Sequence, residues 1–348
     1  MIQRNTIFKW LGIFLLSGTL SCSGSQDKTT EKGNSAQVTT VSKIEINSEA
    51  KALLNTLNEM GDYANSRNFP SLIKASTVHD ELDSNILVID LRSDEAFADG
   101  HIKNAVNVAF SNLPLYFKND IKPESYDKIV LTCYAGQIAS YATSLLRLAG
   151  YNNVYAMKWG MSSWNKYFAD ESWLEAVASD YQDDLEATEN EKATEGDFPK
   201  MNTGKTSGKQ ILQSRIDSLF ALGAGDALIY AEKVFEDPHA YYVINYDRKD
   251  KYDAGHIPGA VRYKPGATLG IVSEMQTIPS DKNVVVYCNT GQNSGFATAY
   301  LRLFGYQAKS LTYGANSFMY DRMKEEKDSL SWTIFSDEEI HDYPYVKN

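Results

Sequence analysis

The stretch Lys128-Ile129-Val130-Leu131-Thr132-Cys133-Tyr134-Ala135-Gly136-Gln137-Ile138 decides the fold. A β-branched, apolar run reads as a buried strand. Cys133 to Gly136 reads as a tight loop, and the residues that follow carry a helical pattern. Strand, glycine-containing loop and helix together make an anion cradle, because successive backbone N–H groups point inward and the positive end of the helix dipole lies behind them. A cysteine at the mouth of such a cradle is expected to be a better thiolate than a free one.

The same pattern returns. Val284-Val285-Val286-Tyr287 leads into Cys288-Asn289-Thr290-Gly291-Gln292-Asn293. An offset of 155 positions carries Cys133 onto Cys288, Gly136 onto Gly291 and Gln137 onto Gln292. It also carries Gly100-His101-Ile102 onto Gly255-His256-Ile257, Leu146-Arg147-Leu148 onto Leu301-Arg302-Leu303, and Gly150-Tyr151 onto Gly305-Tyr306. No gap is needed from Val88 to Tyr151. The chain is therefore read as an internal duplication of one α/β unit, with both cysteines as candidate catalytic groups.

At 348 residues the chain is long enough for two packed domains. A net charge of −11 argues against nucleic acid, which calls for a basic face. The three cysteines, Cys22, Cys133 and Cys288, are too few for a disulfide framework or a cysteine-rich zinc site. No His/Cys spacing suggests a metal, and no cofactor is expected.

In chain order, residues 1–22 read as an export signal. Arg4 and Lys9 form a basic start, an apolar core runs from Trp10 to Leu20, and Thr19-Leu20-Ser21-Cys22 resembles a lipobox, with Thr19 where Leu is usual. Cys22 is then the expected lipidation site; the alternative is a plain secretory signal. Residues 23–60 read as a polar tether and a helix bearing Leu53, Leu54 and Leu57 on one face. Residues 61–170 form the first domain and residues 209–335 the second. In the first, Ala142, Leu145, Leu146 and Ala149 give the helix after the loop one apolar face for the sheet; Ala297, Tyr300, Leu301 and Phe304 do so in the second. Residues 171–208 are rich in Asp, Glu, Thr and Lys and read as a solvated acidic linker, with some helix near Trp173. Residues 336–348 are a tail whose Tyr343-Pro344-Tyr345-Val346 is suited to packing back on a domain.

Taken together these residues resemble the rhodanese family. The resemblance rests on Asp90-x-Arg92, Phe97, Gly100-His101-Ile102, Ala105, Asn107 and the Cys-x-x-Gly loop, and in the second half on Tyr252, Gly255-His256-Ile257-Pro258-Gly259-Ala260 and the second loop. It implies two α/β domains, each a central parallel sheet with helices on both faces. It also implies a sulfurtransferase that moves a sulfane sulfur through a cysteine persulfide to a thiol or other nucleophilic acceptor. Its partners are then a small sulfur donor (persulfide, polysulfide or thiosulfate) and a thiol acceptor. The substrate-binding loop is Tyr134, Ala135, Gly136, Gln137 and Ile138 in one domain, and Asn289, Thr290, Gly291, Gln292 and Asn293 in the other.

Many rhodaneses carry Arg or Lys five positions after the cysteine; here Ile138 and Asn293 stand there, and neither loop holds a cation. Thiosulfate, a dianion, is expected to be captured less well than less charged donors. Asp90-x-Arg92 becomes Asn245-x-Asp247 in the second domain. A cysteine phosphatase wants Arg six positions after the cysteine, where Ala139 and Ser294 stand. His101 and His256 are expected to be structural. Gln137 and Gln292 either orient substrate or cap their helices, and Tyr134 either lines the pocket mouth or packs. The alternative function is a non-catalytic tandem module for partner binding or sulfur and redox sensing. The expected location is the bacterial cell envelope, periplasmic or surface-exposed, with membrane contact through the lipid anchor only.

Overall fold

A computed structural model describes residues 46–270 and 273–348. The export signal, Cys22 and the tether up to residue 45 lie outside them. Among the described residues no helix is long and apolar enough to cross a membrane.

Each half of the duplication builds one five-stranded parallel sheet. The first takes β1 (Leu72–Ile73), β2 (Ile86–Asp90), β3 (Val106–Asn107), β4 (Lys128–Thr132) and β5 (Val154–Met157) in the order β1-β5-β4-β2-β3. The second takes β6 (Leu228–Ile229), β7 (Tyr242–Asn245), β8 (Val261–Arg262), β9 (Asn283–Tyr287) and β10 (Gln307–Leu311) in the order β6-β10-β9-β7-β8. Asp90 pairs with Thr132, and Asn245 pairs with Tyr287 in the corresponding register. The strands are apolar on both faces because both are covered. Leu87, Ile89, Ile129 and Leu131 join the core beneath the helix after the cradle, while Val88 and Val130 pack with Val78, Ile102 and Trp164 on the other side.

Four longer helices matter here: α1 (Ser48–Glu59), α2 (Gln137–Leu148), α3 (Gly208–Leu222) and α4 (Gln292–Leu303). The apolar residues expected of α1 are buried: Leu53, Leu54 and Leu57. Asn47 caps the helix by accepting from the N–H of Ala50. The apolar face expected of α2 and α4 is only half of the arrangement. Both helices are buried on nearly every side, because they pack against each other across the domain boundary. Small residues permit the approach: a Cβ on Gly295 would stand 3.2 Å from the carbonyl of Gln137, and Ser144 Oγ donates to the carbonyl of Phe296 at 3.0 Å. The two domains thus share one continuous core containing Leu145 and Leu146 from one side and Phe296 and Tyr300 from the other.

The segment 171–208 differs from its reading as a solvated linker. Trp173 is wholly buried, against Trp159 and Phe335. Further along, Glu186 forms a β-bridge with His256, and Phe198 is buried beside Phe304 and Tyr306. A few aromatic anchors hold the segment, while its charged residues fill the exposed positions between them. It is a strap laid over the second domain that ends on α1, where Asn47 Nδ2 donates to the carbonyl of Phe198. The tail returns to the first domain: His101 and Val346 exchange backbone hydrogen bonds, and Trp164 Nε1 donates to the carbonyl of Pro344.

Candidate active site

Cys133 follows the last residue of β4, and Gly136 begins α2 with φ of +82°, a left-handed geometry that glycine adopts at little cost. That turn swings the N–H groups back over the sulfur. Gly136 N–H lies 3.2 Å from Cys133 Sγ and Ala139 N–H lies 3.4 Å from it. The loop is braced from behind by the turn after β5. Met161 N–H donates to the carbonyl of Cys133 at 2.8 Å, and Ser162 Oγ donates to the carbonyl of Tyr134 at 3.1 Å. Gly160 makes this possible: a Cβ there would meet the carbonyl oxygen of Cys133 at 2.3 Å.

The second cradle repeats the plan. Gly291 has φ of +74°, Ala315 N–H donates to the carbonyl of Cys288 at 2.9 Å, and Gly314 stands where Gly160 does. Around its sulfur the chemistry is more hydroxylic. Ser294 N–H donates to Cys288 Sγ at 3.3 Å, and Ser294 Oγ and Thr290 Oγ1 lie 3.6 and 4.0 Å away. Cys133 and Cys288 are both free thiols and both are 3% exposed.

Opposing effects act on the Cys133 thiol. Burial pushes it above the ordinary value. The N–H groups of Ala139, Gly136 and Ala135 pull it back, and the Asp90 carboxylate adds to the rise. Desolvation is the largest of these effects, so the net shift is upward. Arg92 is the nearby guanidinium, and it is spoken for: its Nη2 lies 2.6 Å from Asp90 Oδ2 and 2.5 Å from the carbonyl of Gly100, with the pair buried. In the second domain Asp247 takes the place of Arg92. Lys251 lies 3.7 Å from it and the Asn289 amide donates to it, while burial raises its carboxyl.

A cleft of about 220 Å³ opens beside Cys133. Tyr134, Ile138 and Gln137 line it from the first domain, with Glu171 and Ser172 from the strap and Tyr230 and Tyr313 from the second domain. Tyr134 and Tyr230 are largely exposed at its rim, so Tyr134 lines the mouth. Among the described residues no lysine, arginine or histidine borders the cleft, and Glu171 is its one carboxylate. The repeat alone pointed to Cys133, the loop and Ile138. It gave no sign of Tyr230, Ser172 or Tyr313, which come from elsewhere in the chain. One signal was available for the last: Trp159-Gly160 and Tyr313-Gly314 are the same aromatic–glycine pair, and both aromatic residues have positive φ.

The remaining expected residues divide. His101 and His256 are structural: their Nδ1 atoms lie 2.8 Å from the carbonyls of Phe97 and Tyr252, whose rings stack on them. The glutamines do something neither expectation contained. Gln137 and Gln292 are buried and reach out of their own domains. Gln292 Oε1 accepts from Trp159 N–H at 3.0 Å, and Gln137 Nε2 approaches the carbonyl of Leu311 at 3.4 Å. Among the described residues no group of acidic, His and Cys side chains could hold a metal.

The family model for the rhodanese-like domain matches residues 74–167 and again 230–321. Among curated proteins, the chain is 30% identical over 131 residues to a tRNA uridine(34) hydroxylase of Prochlorococcus marinus, covering 36% of this chain and 39% of that protein. It is 32% identical over 94 residues to one of Acaryochloris marina, covering 26% and 30%. The chain thus spans well under half of these relatives. Among solved structures, a thiosulfate sulfurtransferase from Pseudomonas aeruginosa is 17% identical, with a TM-score of 0.28 and coverage of 77% of this chain and 46% of that one. A rhodanese-related protein from Thermoplasma volcanium is 21% identical, with a TM-score of 0.24 and coverage of 29% and 91%.

Proposed function

Because the chain belongs, twice over, to the family of rhodanese-like domains, we propose that it is a sulfurtransferase working through a persulfide on Cys133. The observation that carries this is the cradle: a buried thiol faced by the N–H groups of Gly136 and Ala139, at the floor of a cleft open to small molecules. A terminal persulfide sulfur is anionic and needs donors around it, and a cradle of backbone N–H groups provides them without metal or cofactor.

The chemistry balances with a persulfide donor. The Cys133 thiolate attacks the outer sulfur of R–S–S–H, the S–S bond of the donor breaks, and RS⁻ leaves with its electron pair and takes up a proton. The acceptor thiolate then attacks the outer sulfur now held on Cys133, and the Cys133 thiolate departs. No external oxidant or reductant is used. The lack of a cation among the described residues that line the cleft favours persulfide or polysulfide over thiosulfate. The overall charge of −11 speaks for a small donor rather than an RNA substrate. Cys288, in a more hydroxylic cradle with Asp247 behind its loop, is the second candidate carrier. The export-signal pattern and the lipobox-like Thr19-Leu20-Ser21-Cys22 support a location in the cell envelope with a lipid on Cys22 as tether, the alternative being a plain secretory signal.

The test is intact-protein mass spectrometry after incubation with polysulfide and, separately, thiosulfate. One added sulfur on the Cys133 peptide, removed by cyanide or a thiol and missing in Cys133→Ser, is expected. No addition with both thiols reduced would overturn the reading in favour of a binding or sensing module.

A further inference from the structure

Gln292 lies four residues beyond Cys288, yet its side-chain hydrogen bonds run to the first domain. Its Oε1 takes the N–H of Trp159 at 3.0 Å. Its Nε2 faces the carbonyls of Gly136 at 3.3 Å and Met157 at 3.4 Å, with Ser140 Oγ at 3.5 Å. The fit is close enough that a Cβ on Gly136 would stand 2.4 Å from that nitrogen. Gln292 therefore grips both walls of the Cys133 site. Gly136 is the residue whose N–H points at Cys133 Sγ, and Trp159 opens the turn whose Met161 N–H holds the Cys133 carbonyl. Gln137 repeats the amide-nitrogen half of this arrangement: its Nε2 would stand 1.9 Å from a Cβ on Gly291 and donates toward Leu311, which matches Met157 in the second sheet.

We propose that Gln292 is a positioning residue for Cys133 acting from the other domain, that Gln137 plays the same part for the Cys288 loop, and that the two cradles are thereby coupled. Each glutamine is the first residue of the helix whose N-terminus backs its own cradle. A movement of one helix start toward a seated sulfur is carried by the amide to the glycine of the other loop. Both amides are buried, so water does not replace the lost partners when one is removed. The sulfur-carrier reading is needed only for what the coupling is used for; the coupling itself is a property of the two thiols.

The experiment measures alkylation of each cysteine in the full chain by neutral iodoacetamide, mapped by peptide mass spectrometry between about pH 7 and 10. For Gln292→Ala the Cys133 rate is expected to change about fivefold, the size of one lost hydrogen bond, while the Cys288 rate holds within about twofold. For Gln137→Ala the Cys288 rate is expected to change about fivefold; Gln137 itself lines the Cys133 cleft, so in that variant only the Cys288 rate reads the coupling. A Gln292→Ala effect confined to Cys288, equal at both cysteines or absent from both, or an unchanged Cys288 rate in Gln137→Ala, would overturn the proposal. Should Gln292→Ala not fold, Gln292→Asn keeps the amide but is too short to reach, and must give the same cross-domain pattern. Alkylation requires no sulfur donor, so failure of persulfide loading would overturn the proposed function and leave this result standing.

Discussion

Trp173 Nε1 donates to the carbonyl of Ala135 at 3.1 Å, so the strap between the domains hydrogen-bonds the loop two residues beyond Cys133. Trp173 is wholly buried and lies 4.7 Å from Trp159 and 4.8 Å from Tyr313, ring centre to ring centre. Both of those aromatics open the turns that brace the two cradles. Trp173→Phe keeps an aromatic ring there and removes the donor. It is expected to cost about 1 kcal/mol, to speed Cys133 alkylation and to leave Cys288 unchanged; Trp173→Ala is expected to cost about 3–5 kcal/mol. Denaturant unfolding and residue-mapped alkylation check both. An equal stability loss for the two variants would show that the hydrogen bond, not the ring, dominates.

The raised Cys133 thiol gives a pH dependence with a definite sign. Its neutral form is the one favoured in the folded chain, because burial penalises the thiolate. Its reactivity should therefore climb with pH and reach half its plateau above the ordinary thiol value of 9.0. The linked stability has the matching sign: it is present below the unfolded value and is lost as pH rises through the higher folded one. Alkylation of Cys133 in the Cys288→Ser variant, followed against pH, reads this directly. A half-point below 9.0 would mean that the N–H groups outweigh desolvation.

Ile138 stands five positions after Cys133, lines the cleft and is half-buried. Ile138→Arg would place a guanidinium where the cleft has no cation. The expected outcome is faster sulfur loading from thiosulfate, by about tenfold for one added charge-assisted contact, with little gain from polysulfide. Parallel loading time courses read by intact mass check it. An equal gain with both donors would mean that the arginine acts on the thiol rather than on donor charge.

The duplication made the strands, the cradles and the pairing of Cys133 with Cys288 readable, since local pattern sets each of them. What lay beyond reach depends on partners far along the chain. The glutamines looked local because their amides are flexible, and nothing nearby says that Gln292 ends beside Trp159. The apolar face of α2 was readable, but not that Ser140 and Ser144 on the same helix are buried as well, where small hydroxyls permit close helix packing. The strap was misread because its acidic composition is that of a tether; Trp173 and Phe198, two large aromatics in a charged stretch, were the available warning. The cleft itself is made by the meeting of two domains and a strap, so it belongs to no single run of residues.

The return of the tail sets an order on biogenesis. The backbone bridge between His101 and Val346 closes the first domain with residues made after the whole of the second. Gly100 packs against Tyr345, and Trp164 is held by the carbonyl of Pro344. The first sheet therefore has its last contacts only when residues 343–346 are present and folded back on it. Cys133 thus sits in a domain whose packing is completed by residues far beyond it in the chain, on the other side of the second domain.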